Sequence, residues 1–316
     1  MDAVFRQPPP SWILSQSYAG LQAQALGLAE AAGLDPALQM LTPRAPWRWL
    51  TAALWPAPLA AVKLPSDVPP LVISCGGMGA AVAAALRHRP HGPRVVQVQD
   101  PRMPASRFDI VVVNRHDELT GPNVVVTRTA LHRATPGRLA EARQFWAARL
   151  SALPRPLVAV LVGGSNGRFR LDVPAAEALA AQLADMMQRD RVGLALTPSR
   201  RTDPAVRRVF HDRLEPLGAW VWDMAGENPY FGLLANADLI VATEDSVSMV
   251  SEAVATTAPV MLARLPGRSR RIGLFLDELA REGRVRDFAG RMETWPVAPL
   301  DDTAAAGAEL RRRLGF

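Results

Sequence analysis

Residues 238–271, DLIVATEDSVSMVSEAVATTAPVMLARLPGRSRR, constrain the fold more than any other stretch. Leu239-Ile240-Val241-Ala242 is a short apolar run of the kind that forms a strand buried on both faces. Thr243-Glu244-Asp245-Ser246 follows as a polar turn able to cap a helix. Val247 to Thr257 has helical spacing, and Pro259-Val260-Met261-Leu262 opens a second strand. Together they make one βαβ unit, whose helix begins at the carboxyl end of a parallel sheet, where such folds bind ligands. Ser248, Met249 and Glu252 fall within about one turn and share a face. A carboxylate at that place can accept both hydroxyl protons of a ribose diol. The competing reading of Glu252 is a solvated helix residue.

The rest of the chain repeats this alternation. Ser11 to Leu14 reads as a first strand, Ser15 to Gly20 as a small-residue turn, and Leu21 to Ala32 as a helix stopped by Gly33. Leu71 to Ser74 is a strand running into Cys75-Gly76-Gly77-Met78-Gly79 and a helix. Those glycines lack the G-x-G-x-x-G spacing of a dinucleotide site, which argues against a nicotinamide enzyme. Strands follow at 95–98, 110–113 and 124–126, then an amphipathic helix over 137–149. Pro154-Arg155-Pro156 is the best linker, because prolines stiffen a connection and cannot continue a helix. Beyond it come the strand Leu157 to Val162, the turn Gly163-Gly164-Ser165-Asn166-Gly167, and helices opened by Asp172/Pro174 and Asp203/Pro204. A strand at 193–196 leads to Thr197-Pro198-Ser199-Arg200-Arg201, and Asn228 caps a small helix. The chain ends in an arginine-rich helix, Thr303 to Leu314.

Three turns, Gly163–Gly167, Thr197–Arg201 and Thr243–Met249, therefore gather at one sheet edge. Backbone N–H groups, hydroxyls, Arg200 and Arg201 make a phosphate site there by ordinary electrostatics, with Arg264, Arg268, Arg270 and Arg271 placed to add to it. A solvated arginine surface is the alternative.

At 316 residues, nearly half apolar, the chain has material for two cores without disulfides. Cys75 is the sole cysteine, which excludes a disulfide framework and a thiolate zinc site, and the five histidines lack ligand spacing. No metal is expected. The formal charge of +6 comes almost wholly from arginine, since Lys63 is the only lysine, and favours phosphate-bearing ligands or anionic lipid. No nucleic-acid-binding pattern is present. Residues 1–10 do not read as a signal peptide, and no run reaches the ~18 apolar residues of a membrane span. The expected location is cytoplasmic, soluble or peripheral on the inner face of the membrane. PRAPWRWLTAALWPAPLAAVKLP places Trp47, Trp49 and Trp55 among Arg44, Arg48 and Lys63, as a membrane-interface segment would. Burial of those tryptophans in a core is the other reading.

AGLQAQALGLAEA, RHDELTGPNVVVT, GGSNGRF, TPSRRT, GENPYFGLLANADLIVATEDSVSMVSEA and PGRSRR, spread over residues 19–271, together resemble the "elongated mitochondria" fission family. Its bacterial members are predicted nucleotide-sugar enzymes, and the layout is similar to the GT-B glycosyltransferases and the nucleotide-sugar 2-epimerases. The resemblance implies an α/β chain of two Rossmann-like domains facing across a cleft, 1–153 and 154–300, with the last helix (301–316) crossing back to the first. It puts the base near Arg200, Asn228 and Tyr230, and the ribose on Glu252. The diphosphate would lie among Gly163, Gly164, Ser165, Asn166, Thr197, Ser199, Arg201, Thr243, Asp245, Ser246, Ser248 and Met249. The acceptor would lie by Ser17, Gly20, Gln24, Gly76 and Gly77, with His116 and Asp117 as the general base pair or, equally, a surface turn. No cofactor and no metal is implied beyond the nucleotide-sugar donor. The family's Gly-His-Glu-Asn-Gln loop is here Gly20-Leu21-Gln22-Ala23-Gln24, which keeps only the ends. The activity implied is sugar transfer from a nucleoside diphosphate donor to a cell-envelope acceptor. Epimerisation, or a non-catalytic adaptor role like that of the plant fission relatives, is the alternative.

Overall fold

The structure is a computed structural model that describes residues 5–316. It divides into two compact units, one running up to Arg133 and taking in Asp301–Phe316, the other spanning Ala134–Leu300. Each is built on a six-stranded parallel sheet with helices, so the α/β, twofold Rossmann-like class expected from the sequence is the observed one.

In the first unit the elements are β1 (Ser11–Ser15), α1 (Ala19–Ala31), β2 (Ala37–Met40), α2 (Pro58–Ala61), β3 (Leu71–Cys75), α3 (Gly76–Arg87), β4 (Arg94–Val98), β5 (Ile110–Asn114) and β6 (Val124–Thr127). The strands lie in the order β2-β1-β3-β4-β5-β6. Alternation along β1 explains how both faces are covered. Ile13 points into an apolar cluster with Ala25 and Leu28 of α1, whereas Trp12 and Leu14 point into one with Val82 of α3 and Val62. Gly33 ends the first helix with φ +72°, the left-handed stop its position suggested.

The second unit contains α4 (Pro136–Leu150), β7 (Leu157–Val162), α5 (Val173–Asp190), β8 (Gly193–Pro198), α6 (Pro204–Leu214), β9 (Trp220–Val221), α7 (Tyr230–Asn236), β10 (Leu239–Thr243), α8 (Val247–Val254), β11 (Val260–Ala263), α9 (Arg270–Arg281) and β12 (Val285–Asp287). The sheet order is β12-β11-β10-β7-β8-β9. Asp172 accepts from Ala175 N at 3.1 Å and Asp203 from Ala205 N at 2.7 Å, so both Asp-Pro helix starts cap as their spacing predicts.

The final helix, α10 (Thr303–Leu314), lies against α1 within the first unit, burying Ala306, Leu310 and Leu314. A Cβ on Gly307 would stand 2.5 Å from the Ala31 carbonyl carbon, so only glycine permits this approach. Arg311 Nη1 donates to Ala31 O at 2.6 Å, and Arg128 pairs with Asp302 at 2.5 Å where the chain re-enters the unit. Gly307→Leu is expected to destabilise the first unit by roughly 2–4 kcal/mol, because the clash is with backbone and the helix must lift. An unchanged denaturation midpoint would show that α10 contributes little to holding the unit together.

Two expectations are corrected. The boundary falls after Arg133, not Leu153, because α4 packs on α7 of the second unit. Trp146 seats over Gly232, where a Cβ would come within 2.2 Å of its ring, and stacks on Trp220 at 5.7 Å. Pro154-Arg155-Pro156 is thus an internal connection rather than a linker. Arg155 is anchored to Asp238 at 2.7 Å, and Pro154 O lies 2.1 Å from where a Gly193 Cβ would sit. The tryptophans also divide. Trp55 is buried, its Nε1 donating to Trp47 O at 3.1 Å and to Leu50 O at 3.2 Å, and Trp47 packs edge-on against it. Only Trp49 is well exposed, at 68%.

Candidate functional site

The carboxyl ends of β7, β8 and β10 are adjacent in the second sheet, so the three polar turns predicted to converge do meet. Their meeting point is a carboxylate. Asp245, its side chain fully buried, accepts from Gly164 N at 3.1 Å, from Thr243 Oγ1 at 2.7 Å and from Arg201 Nη2 at 2.7 Å. Thr243 Oγ1 in turn accepts from Gly163 N at 2.8 Å. Ser199 Oγ donates to Gly163 O at 2.8 Å, Thr202 Oγ1 closely approaches the same oxygen as a second donor, and Arg201 Nη1 donates to Gly164 O at 2.9 Å. The two glycines are required by closeness: a Cβ on Gly163 would lie 2.2 Å from Asp245 Oδ1, and one on Gly164 would lie 2.3 Å from Arg201 O.

Asp245 therefore differs from its expected place beside a diphosphate. It takes donors a phosphate would use, for the physical reason that buried N–H and O–H groups need an acceptor inside the fold. Arg201 is neutralised with it. Asn166 belongs to the same frame, donating to Asp245 O at 3.2 Å while its Oδ1 accepts from Arg168 N and Phe169 N, both at 2.9 Å. Ser165 Oγ closes its loop on Leu171, and Thr197 is buried within β8. This loop is pinned from the far side by an antiparallel bridge between Phe169 and Gly267, whose φ of +129° only glycine adopts freely.

Beside this frame lie the start of α8 and the exposed Arg200, and the exposed Arg268 follows the Gly267 bridge. Ser246 caps the helix, accepting from Met249 N at 3.4 Å, and Ser246 and Ser248 are half-buried beside it. Arg200 is exposed and has no side-chain hydrogen bond or ion pair among the described residues. Arg264 is otherwise engaged, pairing with Glu244 and Asp287 at 2.8 Å each, and so is not a spare phosphate ligand. Met249 packs in the apolar core with Leu233 and Leu234.

On the next turn of α8, Glu252 is 8% exposed and accepts from the Tyr230 hydroxyl at 2.5 Å. Burial pushes its carboxyl up to about 7, against a smaller lowering by that hydroxyl. Burial, and then the neighbouring carboxylate, holds the Tyr230 phenol well above its ordinary range. Asn228 Oδ1 accepts from Tyr230 N at 3.0 Å and so fixes the start of α7. The solvated-helix reading of Glu252 fails, because the carboxyl is enclosed and bonded.

In the first unit the corresponding sheet edge carries Gly76 (φ +76°) against Leu21, and Gly77, whose Cβ position is open space. Ser17 is exposed and Gly20 half-buried. Gln24 is buried and accepts from Gln99 Nε2 at 3.2 Å. That bond belongs to a polar group the sequence reading missed. Ser74 Oγ donates to Gln97 Oε1 at 2.6 Å, and Gln97 Nε2 donates to Val98 O at 2.6 Å and to Gln99 O. A fully buried glutamine inside the valine-rich strand RVVQV was the available signal, since such a residue needs partners. His116 lies in a short 3-10 turn, its side chain 3% exposed and its Nε2 3.7 Å from Asp117 Oδ1. Asp117 Oδ2 accepts from Asn114 N at 3.3 Å, bracing the turn, so the pair is enclosed and not the surface turn of the alternative reading. Among the described residues no three His, Cys, Asp or Glu side chains are placed to hold a metal ion, and no helix is long and apolar enough to cross a membrane.

The family model described as Mitochondrial fission ELM1 matches residues 19–314. The mitochondrial fission protein ELM1 of Arabidopsis thaliana is 33% identical over 289 residues, covering 81% of this chain and 66% of that protein, slightly under two thirds of its length. An uncharacterized protein of Rickettsia prowazekii, RP120, is 24% identical over 278 residues, covering 76% of this chain and 77% of it. Among solved structures, UDP-GlcNAc 2-epimerase from Methanocaldococcus jannaschii in complex with UDP-GlcNAc and UDP superposes with a TM-score of 0.58 at 13% identity, covering 97% of this chain and 99% of that one. The Neisseria meningitidis UDP-GlcNAc 2-epimerase bound to UDP-GlcNAc scores 0.55 at 10% identity over 96% and 99%. UGT71G1 of Medicago truncatula complexed with UDP-glucose scores 0.55 at 12% identity over 98% and 91%. At these identities the likeness establishes a shared GT-B-like fold.

Proposed function

The chain belongs to the mitochondrial fission ELM1 family, and from that premise we propose that its second unit binds a nucleoside diphosphate sugar for transfer to a cell-envelope acceptor. One observation carries the reading: an enclosed carboxyl, Glu252, held by Tyr230 on the second turn of a helix that starts at the carboxyl edge of a parallel sheet. That is a place where a ribose diol can be read while the helix N-terminus and Arg200 meet the diphosphate. The UDP and UDP-sugar complexes of the structural neighbours support the ligand class.

In this reading Asp245 and Arg201 hold the turns in place, and Ser246, Ser248 and the first N–H groups of α8 face the phosphates. Leaving-group charge is then stabilised by a helix dipole and an arginine. His116 with Asp117 is the proposed base, and the 115–117 turn has to open for the enclosed ring to meet an acceptor hydroxyl. A second reading, a nucleotide-binding protein without turnover, is favoured by that enclosure and by the Leu21-Gln22-Ala23 replacement in the first loop.

Calorimetric titration with UDP and UDP-sugars tests the binding step, and product analysis separates the rest. Turnover that requires an envelope lipid acceptor supports transfer, turnover on donor alone means epimerisation, and saturable binding without turnover supports the second reading. In the first case His116→Asn is expected to slow turnover by on the order of 10²-fold or more with UDP affinity unchanged. Absence of binding to every nucleotide tried would remove the proposal.

A further inference from the structure

A cavity of about 290 Å³ in the first unit is walled by Arg44, Lys63 and Arg89 over a floor that includes Leu59, Val62 and Leu86. All three cations are exposed, and none has a side-chain hydrogen bond or ion pair among the described residues. Arginines on the neighbouring elements behave differently: Arg87 and Arg94 share Asp109 at 3.0 and 2.8 Å. No carboxylate lines the cavity, and the chain's only lysine does. Three unpaired positive charges beside an apolar floor make a locally positive potential that attracts anionic groups.

Most of the cavity's lining comes from the segment that carries Trp49, Leu50 and Leu54, three of the exposed apolar side chains of this unit. Arg44 N donates to Ala61 O at 2.8 Å, which ties the start of the tryptophan segment to its end. Between those points Trp49, Leu50 and Leu54 are 68%, 46% and 69% exposed, with the Arg48 guanidinium 4.6 Å from the centre of the Trp49 ring. Trp47 and Trp55 turn inward and make this segment a fixed platform. Apolar side chains with a tryptophan edge, next to unpaired cations, are the two components of reversible attachment to an anionic bilayer.

We propose that this face docks on a bilayer containing anionic phospholipid, with a headgroup phosphate held by Arg44, Lys63 and Arg89 and with Trp49 and Leu54 entering the interface. The inference is independent of the nucleotide reading, since it uses none of those residues.

The test is flotation of the full chain on vesicles of phosphatidylcholine, with and without phosphatidylglycerol, across a salt series. Binding is expected only with the anionic lipid, and to weaken as salt rises. Lys63→Glu and Arg89→Glu should each reduce binding on the order of tenfold or more. Arg208→Glu, the same charge change on the exposed face of α6, should leave it unaltered. Trp49→Ser should also release the protein, and calorimetry with UDP should be the same for all of these variants. Equal losses in Lys63→Glu and Arg208→Glu would reduce the effect to net charge and overturn the site. Thermal stabilisation by inorganic phosphate that Lys63→Glu abolishes, without flotation of the parent chain, would make the cavity a soluble-anion site and overturn the membrane assignment. Flotation on neutral vesicles as strong as on anionic ones would do the same.

Discussion

Asp245→Ala is expected to destabilise the second unit by about 2–4 kcal/mol. The carboxylate is the acceptor for three donors from three different strand ends, namely Gly164 N, Thr243 Oγ1 and Arg201 Nη2. Removing it leaves a buried backbone N–H and a buried hydroxyl without their acceptor, each worth about 1–3 kcal/mol when unsatisfied. The arginine contributes less, because its side chain is 43% exposed and water can take over its charge. Slackened turns should also weaken nucleotide binding as a secondary effect. Chemical denaturation gives the stability change, and hydrogen exchange of the β7, β8 and β10 amides should locate it at these strands. A merely ligand-contacting aspartate would behave differently: the midpoint would stay put and only affinity would move. An unchanged midpoint therefore sinks the role of Asp245 as the internal acceptor.

Much of the fold was legible because its signals are local. A buried parallel strand is an apolar run, an Asp-Pro pair is a helix start, and Gly33 is a helix stop, each decided within a few residues. What stayed hidden depends on who faces whom across the chain. The stretches GGSNGRF and PGRSRR were both singled out, yet the Phe169–Gly267 bridge that joins them crosses about a hundred residues of sequence. Helix α4 precedes the proline pair yet packs with the unit that follows it, because its allegiance rests on a tryptophan seated over Gly232 in another helix. The strands β2 and β12 escaped notice for want of an apolar run: ALQM is largely exposed at a sheet edge, and VRD buries only its valine.

The site was legible in its parts and not in its charge balance. Thr243, Asp245, Arg201 and the glycines were recognisable as polar turn residues at strand ends. Sequence alone could not decide whether their donors aim at a ligand or at one another, and here a carboxylate of the chain itself absorbs several of them. The same ambiguity governed the tryptophans. Trp47, Trp49 and Trp55 have similar neighbours in sequence, but Trp55 lies against the core and Trp49 does not, since a chain in short 3-10 turns alternates inside and outside without a fixed period.

The pH dependence of stability should carry the signature of Glu252. Its carboxyl has an ordinary value of 4.5 and is pushed to about 7 in the folded chain, chiefly by burial. Below pH 4.5 it is protonated in both states, and the folded state keeps that advantage in full. As pH rises, the unfolded chain releases the proton first, and the folded state loses its advantage progressively up to about pH 7 and beyond it no further. A shift from 4.5 to about 7 corresponds to about 3 kcal/mol at most. Glu252→Gln has the same shape and no titration, so its stability should vary less with pH than the parent's over this window and should gain on it as pH rises. A ribose diol, by contrast, is best accepted by the ionised form, so UDP binding to the parent should tighten as pH rises through about 7 and release a proton below it. That release is measured by calorimetry in buffers of different ionisation enthalpy. The glutamine variant should release less, since only the UDP phosphate then titrates, and bind UDP more weakly, by about 1–3 kcal/mol above pH 7. Parallel stability profiles for parent and variant would mean that the carboxyl titrates normally in the fold. A stability difference without any difference in UDP binding would leave Glu252 as a buried partner of Tyr230 and take the ribose elsewhere.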